Sequence, residues 1–395
     1  MNFDTSQKIL ITHALHTENA LREELQQLGY KVTGRDRLNV SVNGTLKDTI
    51  HLNLKLRTAH RVLYHLYTFK AFDLGRLYKK IKGYDWTDII PSDGYFSINS
   101  YCNQKGIRDN RIVNLKVKDA IADHFMDVKG KRPDSGKDSS QLAFFIYWVD
   151  NTCSVYIDTS GESIAKHGYR LEGWKAPLSE ALAASIIIST GWDGKSPFIN
   201  PMCGSGTLAI EAAMMASKRC PGLNRSNYSF MHINGYDPAY YDEVKKEIED
   251  KVSDQDLPQI IATDIHAGAL RAAKANAKWA GVLDLIQFSR CKFQDTPLVG
   301  EGGIVIMNPE YGERMGQVDQ LKPIYGHIGD FFKNECKGRT GYVFTGNPEL
   351  AKSVGLRTKR KLPFMNAKIE CRLLEYELYE GTKKVSRKPY SPPYS

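Results

Sequence analysis

From Ser179 to Leu378 the chain alternates short apolar runs with longer stretches of helical periodicity, and this alternation restricts its fold more than any other feature. Strand-like runs fall at 197–200, 260–265, 285–288, 304–307, 341–345 and 369–378, and helix-like stretches at 179–188, 207–218, 268–280, 321–333 and 348–354. Strands connected through helices run parallel, and the helices must cover both faces of the sheet. The predicted class is α/β with a mostly parallel sheet. Residues 221–258, rich in Asn, Tyr, Asp and Glu, break the pattern and read as an insertion.

Upstream the rhythm differs. A strand at 8–12, a helix after Thr17 with Leu21, Leu25 and Leu28 on one face, strands at 31–33 and 39–42, a helix from Thr45 with Leu46, Ile50 and Leu54 inward, and an aromatic strand at 60–69 form a β-α-β-β-α-β unit. The aromatic residues of that last strand read as sheet packing. A second unit follows. Asp73 caps a short helix, Pro91-Ser92-Asp93-Gly94 turns into a strand at 95–101, and a helix over 107–126 is expected to carry Ile112, Leu115 and Ile121 on one side. Strands at 142–148 and 153–158 pair across Asp150-Asn151. The expected units are 1–68, 69–160, a connection over 161–178, the alternating unit 179–381 and a basic, Pro-rich and disordered tail at 382–395.

A formal charge of +9 favours polyanionic partners. The second unit concentrates this charge: Arg108, Arg111, Lys116 and Lys118 lie on or beside its long helix, and Lys131 and Arg132 in the turn after it. Two readings stand, a solvated helix face or contact with nucleic acid. The seven cysteines lack any C-x-x-C pair, so neither zinc nor a disulfide framework is expected, and a reduced cytoplasm fits. His13, His16, His60 and His65 lack acidic partners at metal spacing. No apolar run approaches the roughly 20 residues that span a bilayer, so neither secretion nor membrane insertion is expected.

Three short stretches carry chemistry. Phe198 to Thr207 is a strand, a tight turn with Gly204 and Gly206, and a helix start, which allows a ligand to approach backbone and presents free N–H groups. It is not a dinucleotide fingerprint, because Ala209 replaces the third glycine. Thr263-Asp264-Ile265-His266 ends the next strand, where an acid can take both hydroxyls of a ribose. Asn308-Pro309-Glu310-Tyr311 follows the run 303–307 and offers a carboxamide acceptor, rigid carbonyls and a flat ring, a clamp for a planar amine.

Together these stretches resemble motifs I, II and IV of class I S-adenosylmethionine-dependent methyltransferases, and more narrowly the RlmL-type (YpsC-like) guanine-N2 methyltransferases of large-subunit ribosomal RNA. Gly168-Tyr169-Arg170, residues 176–180, 211–215 and 344–346 extend the match, and the basic unit resembles a THUMP domain behind a ferredoxin-like one. The resemblance implies an α/β fold with a Rossmann-like C-terminal domain, a mixed, mostly parallel seven-stranded sheet, preceded by α+β ferredoxin-like and THUMP units. It implies S-adenosylmethionine as cofactor, RNA as partner and no metal. Asn308, Pro309 and Tyr311 would be catalytic; Asn200, Pro201, Gly204, Ser205, Gly206, Asp264, Ile265, Lys292 and Phe293 would hold the cofactor; Arg314 and the basic residues above would bind RNA. Two positions depart from the family pattern: Glu310 stands for a second Pro, and Lys292 for an Asp that holds adenine, with Asp295 as a candidate substitute. Cys203 reads as packing, since transfer to an amine needs no cysteine nucleophile. Arg314 either pairs with Glu313 or touches phosphate.

The alternatives are the same chemistry on transfer RNA, a non-catalytic RNA-binding or assembly factor, and, least supported, a nicotinamide-dependent oxidoreductase. No second methyltransferase domain is seen in the sequence, so no fused partner activity is expected.

Overall fold

A computed structural model describes residues 1–173, 178–312 and 317–379. Glu313, Arg314, the stretch 174–177 and the C-terminal tail lie outside the described residues, so the expectations for them rest on sequence alone. The first half builds one eight-stranded sheet in the order β2-β3-β1-β4-β8-β7-β5-β6. Its elements are β1 (Gln7–His13), α1 (Glu18–Gln27), β2 (Val32–Arg35), β3 (Asn39–Gly44), α2 (Leu46–Lys55), β4 (Ala59–Lys70), α3 (Leu74–Lys82), β5 (Tyr95–Asn103), α4 (Asn110–Lys129), β6 (Asp134–Gly136), β7 (Leu142–Val149) and β8 (Thr152–Asp158). The hairpin β2-β3 places β3 between β1 and β2, the split arrangement expected. β4 then joins β8 antiparallel, so the two expected units share one continuous sheet.

Local chemistry explains the boundaries. Thr45 and Asp48 form a reciprocal capping box at the start of α2. Asp73 and Asp109 cap α3 and α4 by accepting from Arg76 and Arg111 amides. Asp150 and Asn151, with φ of 47° and 62°, make the two-residue hairpin turn between β7 and β8.

The burial of α4 corrects one expectation. Val113, Val117, Ala120, Ile121 and Phe125 face the sheet, while Ile112 and Leu115 are 49% and 55% exposed. Both sets recur near every third or fourth residue, so spacing alone does not choose between them. The helix also begins at Asn110 rather than Ile107, where Asp109 provides the cap.

The second half contains α5 (Glu180–Thr190), β9 (Phe198–Pro201), α6 (Thr207–Ala216), α7 (Pro238–Glu249), β10 (Ile260–Asp264), α8 (Ala267–Trp279), β11 (Ile286–Arg290), β12 (Ile304–Met307), α9 (Gln317–Asn334), β13 (Arg339–Thr345), α10 (Pro348–Ser353), β14 (Arg360–Asn366) and β15 (Ile369–Leu378). The sheet order is β11-β10-β9-β12-β13-β15-β14; five strands run parallel and β15 runs antiparallel to both its neighbours. α5 and α6 are buried nearly all round, consistent with their Ala- and Ile-rich sequences.

The insertion does not stand apart. Tyr228, Phe230, Ile233, Val244 and Ile248 belong to the same apolar core as the eight-stranded sheet. Gly222 permits this, since a Cβ there would lie 2.5 Å from Leu54 Cα. A segment inserted in the second half is therefore packed into the first, so the chain links the two halves twice.

A buried polar chain links them as well. Glu24 accepts from the Arg57 amide at 2.7 Å and from the Thr58 hydroxyl at 2.7 Å. The Arg57 guanidinium donates to the Arg219 carbonyl at 2.5 Å, and the Arg57 carbonyl lies 3.0 Å from His167 Nε2. His167 Nδ1 sits 2.7 Å from Glu211, which also accepts from Tyr169 OH at 2.8 Å. Burial pushes the Glu24 carboxyl up, and burial with the adjoining Glu211 holds the Tyr169 phenol well above its ordinary range. Glu24 is held by three donors, whereas both contacts to Glu211 fall on Oε1 and its buried Oε2 has no partner among the described residues.

Candidate functional site

The parallel strands of the second sheet end on one side, and their C-terminal turns enclose a cavity of about 780 Å³. β9 and β12 flank each other at its floor. Past β9 the chain takes positive φ at Met202 (57°), Gly204 (57°) and Gly206 (82°). Only Gly relieves such strain without cost, and Gly204 has open space where a Cβ would stand. Gly206 differs: its Cβ would meet Ala273 Cβ at 2.9 Å, so it serves close packing of α6 on α8 and does not line the cavity.

Asp264, 8% exposed at the end of β10, accepts from the Gly204 amide at 3.0 Å and from the His266 amide at 2.9 Å. Its carboxylate is thereby fixed at the cavity wall. Asn200 donates from Nδ2 to the Ile306 carbonyl at 2.9 Å, tying β9 to β12, and its buried Oδ1 has no hydrogen-bond partner among the described residues. Asn308 Oδ1 is likewise buried without a partner. Two unpaired carboxamide acceptors in one cavity are unusual, because each costs about 1–3 kcal/mol of unrecovered desolvation. They are placed for a ligand that donates hydrogen bonds.

The turn after β12 is held from outside. Tyr325 OH donates to the Glu310 carbonyl at 3.2 Å, and Asn347 Nδ2 donates to the Tyr311 carbonyl at 3.2 Å. These bonds restrain the backbone at Glu310 and Tyr311. The Tyr311 ring packs edge-on against Phe344, with centroids 6.4 Å apart, and its hydroxyl accepts from Asn366 Nδ2 at 3.1 Å. Burial pushes the phenol far above its ordinary range. Gly346 is required beside it, since a Cβ there would lie 2.6 Å from Ile369 Cγ2 and 3.2 Å from the Tyr311 ring.

Of the residues expected at the site, Asn200, Gly204, Ser205, Asp264, Ile265, Lys292, Phe293, Asn308, Pro309 and Tyr311 line this cavity together. Pro201 does not; it is buried as the last residue of β9. Asp295 also stays outside, exposed on a short 3-10 turn whose residue Gln294 lines the cavity instead. Cys203 lines the cavity with its thiol pushed up by burial, the opposite of what a nucleophile needs. Asn366 and His327 were not anticipated. Asn366 sits at the end of β14, a strand that sequence reading omits because it contains Pro363; β14 is an edge strand, where proline is tolerated.

The basic residues expected to bind RNA lie elsewhere. Arg108 and Arg111 are exposed at the start of α4, where Arg111 pairs with Asp109 at 2.7 Å. Lys116 covers the Tyr78 ring at 4.9 Å, Lys118 is half-buried, and Lys131 and Arg132 are exposed after α4. None reaches the cavity. Among the described residues no cluster of His, Cys, Asp or Glu could hold a metal ion, and no helix is long and apolar enough to cross a membrane.

Residues 167–375 match the family described as RMKL-like, methyltransferase domain; residues 8–63 match the RlmL ferredoxin-like domain, and residues 71–158 the THUMP domain. The ribosomal RNA large subunit methyltransferase K/L of Syntrophotalea carbinolica is 33% identical over 95% of this chain and 54% of its own length. The chain thus spans about half the length of the K/L relatives it matches. A Synechocystis sp. protein whose name assigns it provisionally to the RNA methyltransferases is 30% identical over 95% of this chain and 98% of its own. The crystal structure of SMU.472 complexed with SAH superposes with a TM-score of 0.86 and 26% identity, covering 97% of this chain and 100% of that one. The chain therefore belongs to the RMKL-like methyltransferase family, with RlmL-type ferredoxin-like and THUMP domains ahead of the methyltransferase domain.

Proposed function

We propose that this protein transfers a methyl group from S-adenosylmethionine to the exocyclic N2 amine of a guanine in large-subunit ribosomal RNA. The observation that carries the reading is the meeting of Asn308-Pro309-x-Tyr311 with Gly204 and Asp264 around one cavity. The residues fit the cofactor: Asp264 offers a fixed carboxylate to ribose hydroxyls, the amides and open space at Gly204 and Ser205 suit the methionine end, and Lys292 and Phe293 flank the adenine side. Bound there, S-adenosylmethionine supplies an electrophilic sulfonium methyl.

The chain's own residues must present the nucleophile. A guanine amine is poor because its lone pair is delocalised into the ring. Asn308 Oδ1, buried and unpaired, and the Pro309 carbonyl accept from the amine hydrogens and draw the nitrogen toward pyramidal geometry, which takes its lone pair out of conjugation. As the N–C bond forms the methyl–sulfonium bond breaks, leaving the thioether, and one amine proton passes to solvent. The same acceptors offset positive charge as it develops on nitrogen. Tyr311, clamped by Asn366 and Phe344, stacks the unpaired base and fixes its distance. The THUMP-containing half holds the surrounding RNA, and its buried ties to the second half keep that grip in register with the cavity.

The test is transfer from labelled S-adenosylmethionine to RNA from cells lacking this protein, with size classes separated and digested to nucleosides. N2-methylguanosine in the large ribosomal RNA is expected. The same nucleoside in transfer RNA would move the target, and N6-methyladenosine would keep the amine clamp but change the base. Cofactor binding without label in free RNA or in ribosomal subunits would favour a non-catalytic factor.

A further inference from the structure

The stretch Thr345-Gly346-Asn347, where β13 gives way to α10, takes no part in the transfer proposed above, yet it is bonded to the turn that carries Asn308 and Tyr311. Thr345 Oγ1 accepts from the Asn347 amide at 3.2 Å and lies 2.9 Å from the hydroxyl of Tyr325, fully buried on α9. Tyr325 has one hydroxyl hydrogen, and the Glu310 carbonyl 3.2 Å away can only accept it, so Thr345 is the donor between the two hydroxyls. Each hydroxyl then donates once and accepts once.

Asn347 divides one carboxamide between two tasks. Its Oδ1 accepts from the amides of Glu349 and Leu350 at 3.0 and 3.1 Å and caps α10. Two amide donors on one atom identify it as the oxygen, so the atom that reaches the Tyr311 carbonyl at 3.2 Å is the donor Nδ2. The Glu310 and Tyr311 carbonyls are therefore both held by residues that do not line the cavity. Of the three consecutive carbonyls at 309–311, only that of Pro309 receives no donor from the described residues, and Pro309 lines the cavity. Its ring fixes φ on one side, and Tyr325 fixes the peptide plane beyond Glu310 on the other. The plane between them, which carries the Pro309 carbonyl, has little freedom to rotate.

We infer that Asn347 and Tyr325 are positioning residues for the transfer: by holding the Tyr311 and Glu310 carbonyls, they leave the Pro309 carbonyl as the one that faces the substrate amine beside Asn308 Oδ1. Neither touches substrate or cofactor. Two acceptors must meet the two hydrogens of one amine, and a turn free to rotate a peptide plane would spend part of its time with the second acceptor turned away. Holding the plane beforehand removes that reorganisation from the reaction. The role rests on the proposed amine clamp and adds to it the residues that set its second acceptor.

Asn347→Asp separates positioning from capping. It keeps an acceptor for the α10 amides, removes the donor to the Tyr311 carbonyl and sets a carboxylate against that carbonyl. The experiment compares single-turnover methyl transfer to RNA by the full chain with its S-adenosylhomocysteine affinity and its urea midpoint. Asn347→Asp is expected to keep the midpoint and the affinity of the unsubstituted protein and to transfer between about tenfold and a hundredfold more slowly. Asn347→Ala should lose the cap as well and lower the midpoint, and Tyr325→Phe should slow transfer with cofactor affinity unchanged. Normal transfer by Asn347→Asp overturns the role. A rate loss matched by a lower midpoint or a lower cofactor affinity overturns it too, since Asn347 would then serve the fold or the cofactor. N6-methyladenosine as the product, with slow transfer by Asn347→Asp, would overturn the guanine reading and support this role. No transfer to RNA by the unsubstituted protein overturns both.

Discussion

The Gly204 amide donates to Oδ2 of Asp264 at 3.0 Å, so the turn after β9 and the end of β10 are one structure. Asp264→Ala removes both the proposed ribose acceptor and the bond that shapes the glycine turn. Hydrogen bonds to a charged group contribute about 1.5–3 kcal/mol. Calorimetric titration with S-adenosylhomocysteine should show affinity reduced by a factor on the order of ten to a hundred. Unchanged affinity would place the cofactor elsewhere.

Asn366 holds the Tyr311 hydroxyl from the neighbouring hairpin. Asn366→Ala should slow transfer about tenfold, the value of one hydrogen bond of about 1 kcal/mol plus the freedom returned to the ring, with cofactor affinity unchanged. Single-turnover transfer rates and the same titration separate these effects. Loss of cofactor affinity instead would assign Asn366 to the other half of the cavity.

The two turn glycines should behave differently on substitution. Gly206→Ala forces a Cβ to within 2.9 Å of Ala273 Cβ at a φ of 82°, whereas Gly204→Ala meets open space at a φ of 57°. Conformational strain alone costs about 1–2 kcal/mol, and overpacking adds about 1–3 kcal/mol. Gly206→Ala should therefore have the lower denaturation midpoint, and equal midpoints would contradict the packing described for α6 on α8.

Acid should weaken the fold partly through His60. Burial, with His13 and Arg61 nearby, lowers its proton affinity below the ordinary imidazole value of 6.5. The unfolded chain then binds more protons than the folded one as pH falls through that value, so this contribution is present above 6.5 and lost below it. His60→Gln should shrink the difference in urea midpoint between pH 7.5 and pH 5.5. An unchanged difference would show that His60 titrates normally in the fold.

Much of this was legible in the sequence because local chemistry and tertiary structure agree. The αβ alternation, the helix start at Thr45 and the Asp150-Asn151 turn follow from short stretches whose geometry leaves few choices, and the resemblance of three motifs joined Asn308, Tyr311 and Asp264 in one site. What escaped depends on long-range packing. Ile112 and Leu115 are three residues apart and Val113 and Val117 four, both helical spacings, and only the sheet decides which pair is buried. The segment containing Tyr228 and Phe230 lies in the core of the other half, about 70 residues beyond the last strand of its sheet. Asn366 was hidden by Pro363, which breaks strands except at an edge.

The most direct test of the central claim is Asn308→Ala, assayed for S-adenosylhomocysteine affinity and for single-turnover methyl transfer to the RNA substrate. Preorganised acceptors of developing charge contribute about 10²–10³ in rate. Affinity within about twofold of the unsubstituted protein and a transfer rate lower by roughly that factor are expected. Near-normal transfer by Asn308→Ala would contradict it.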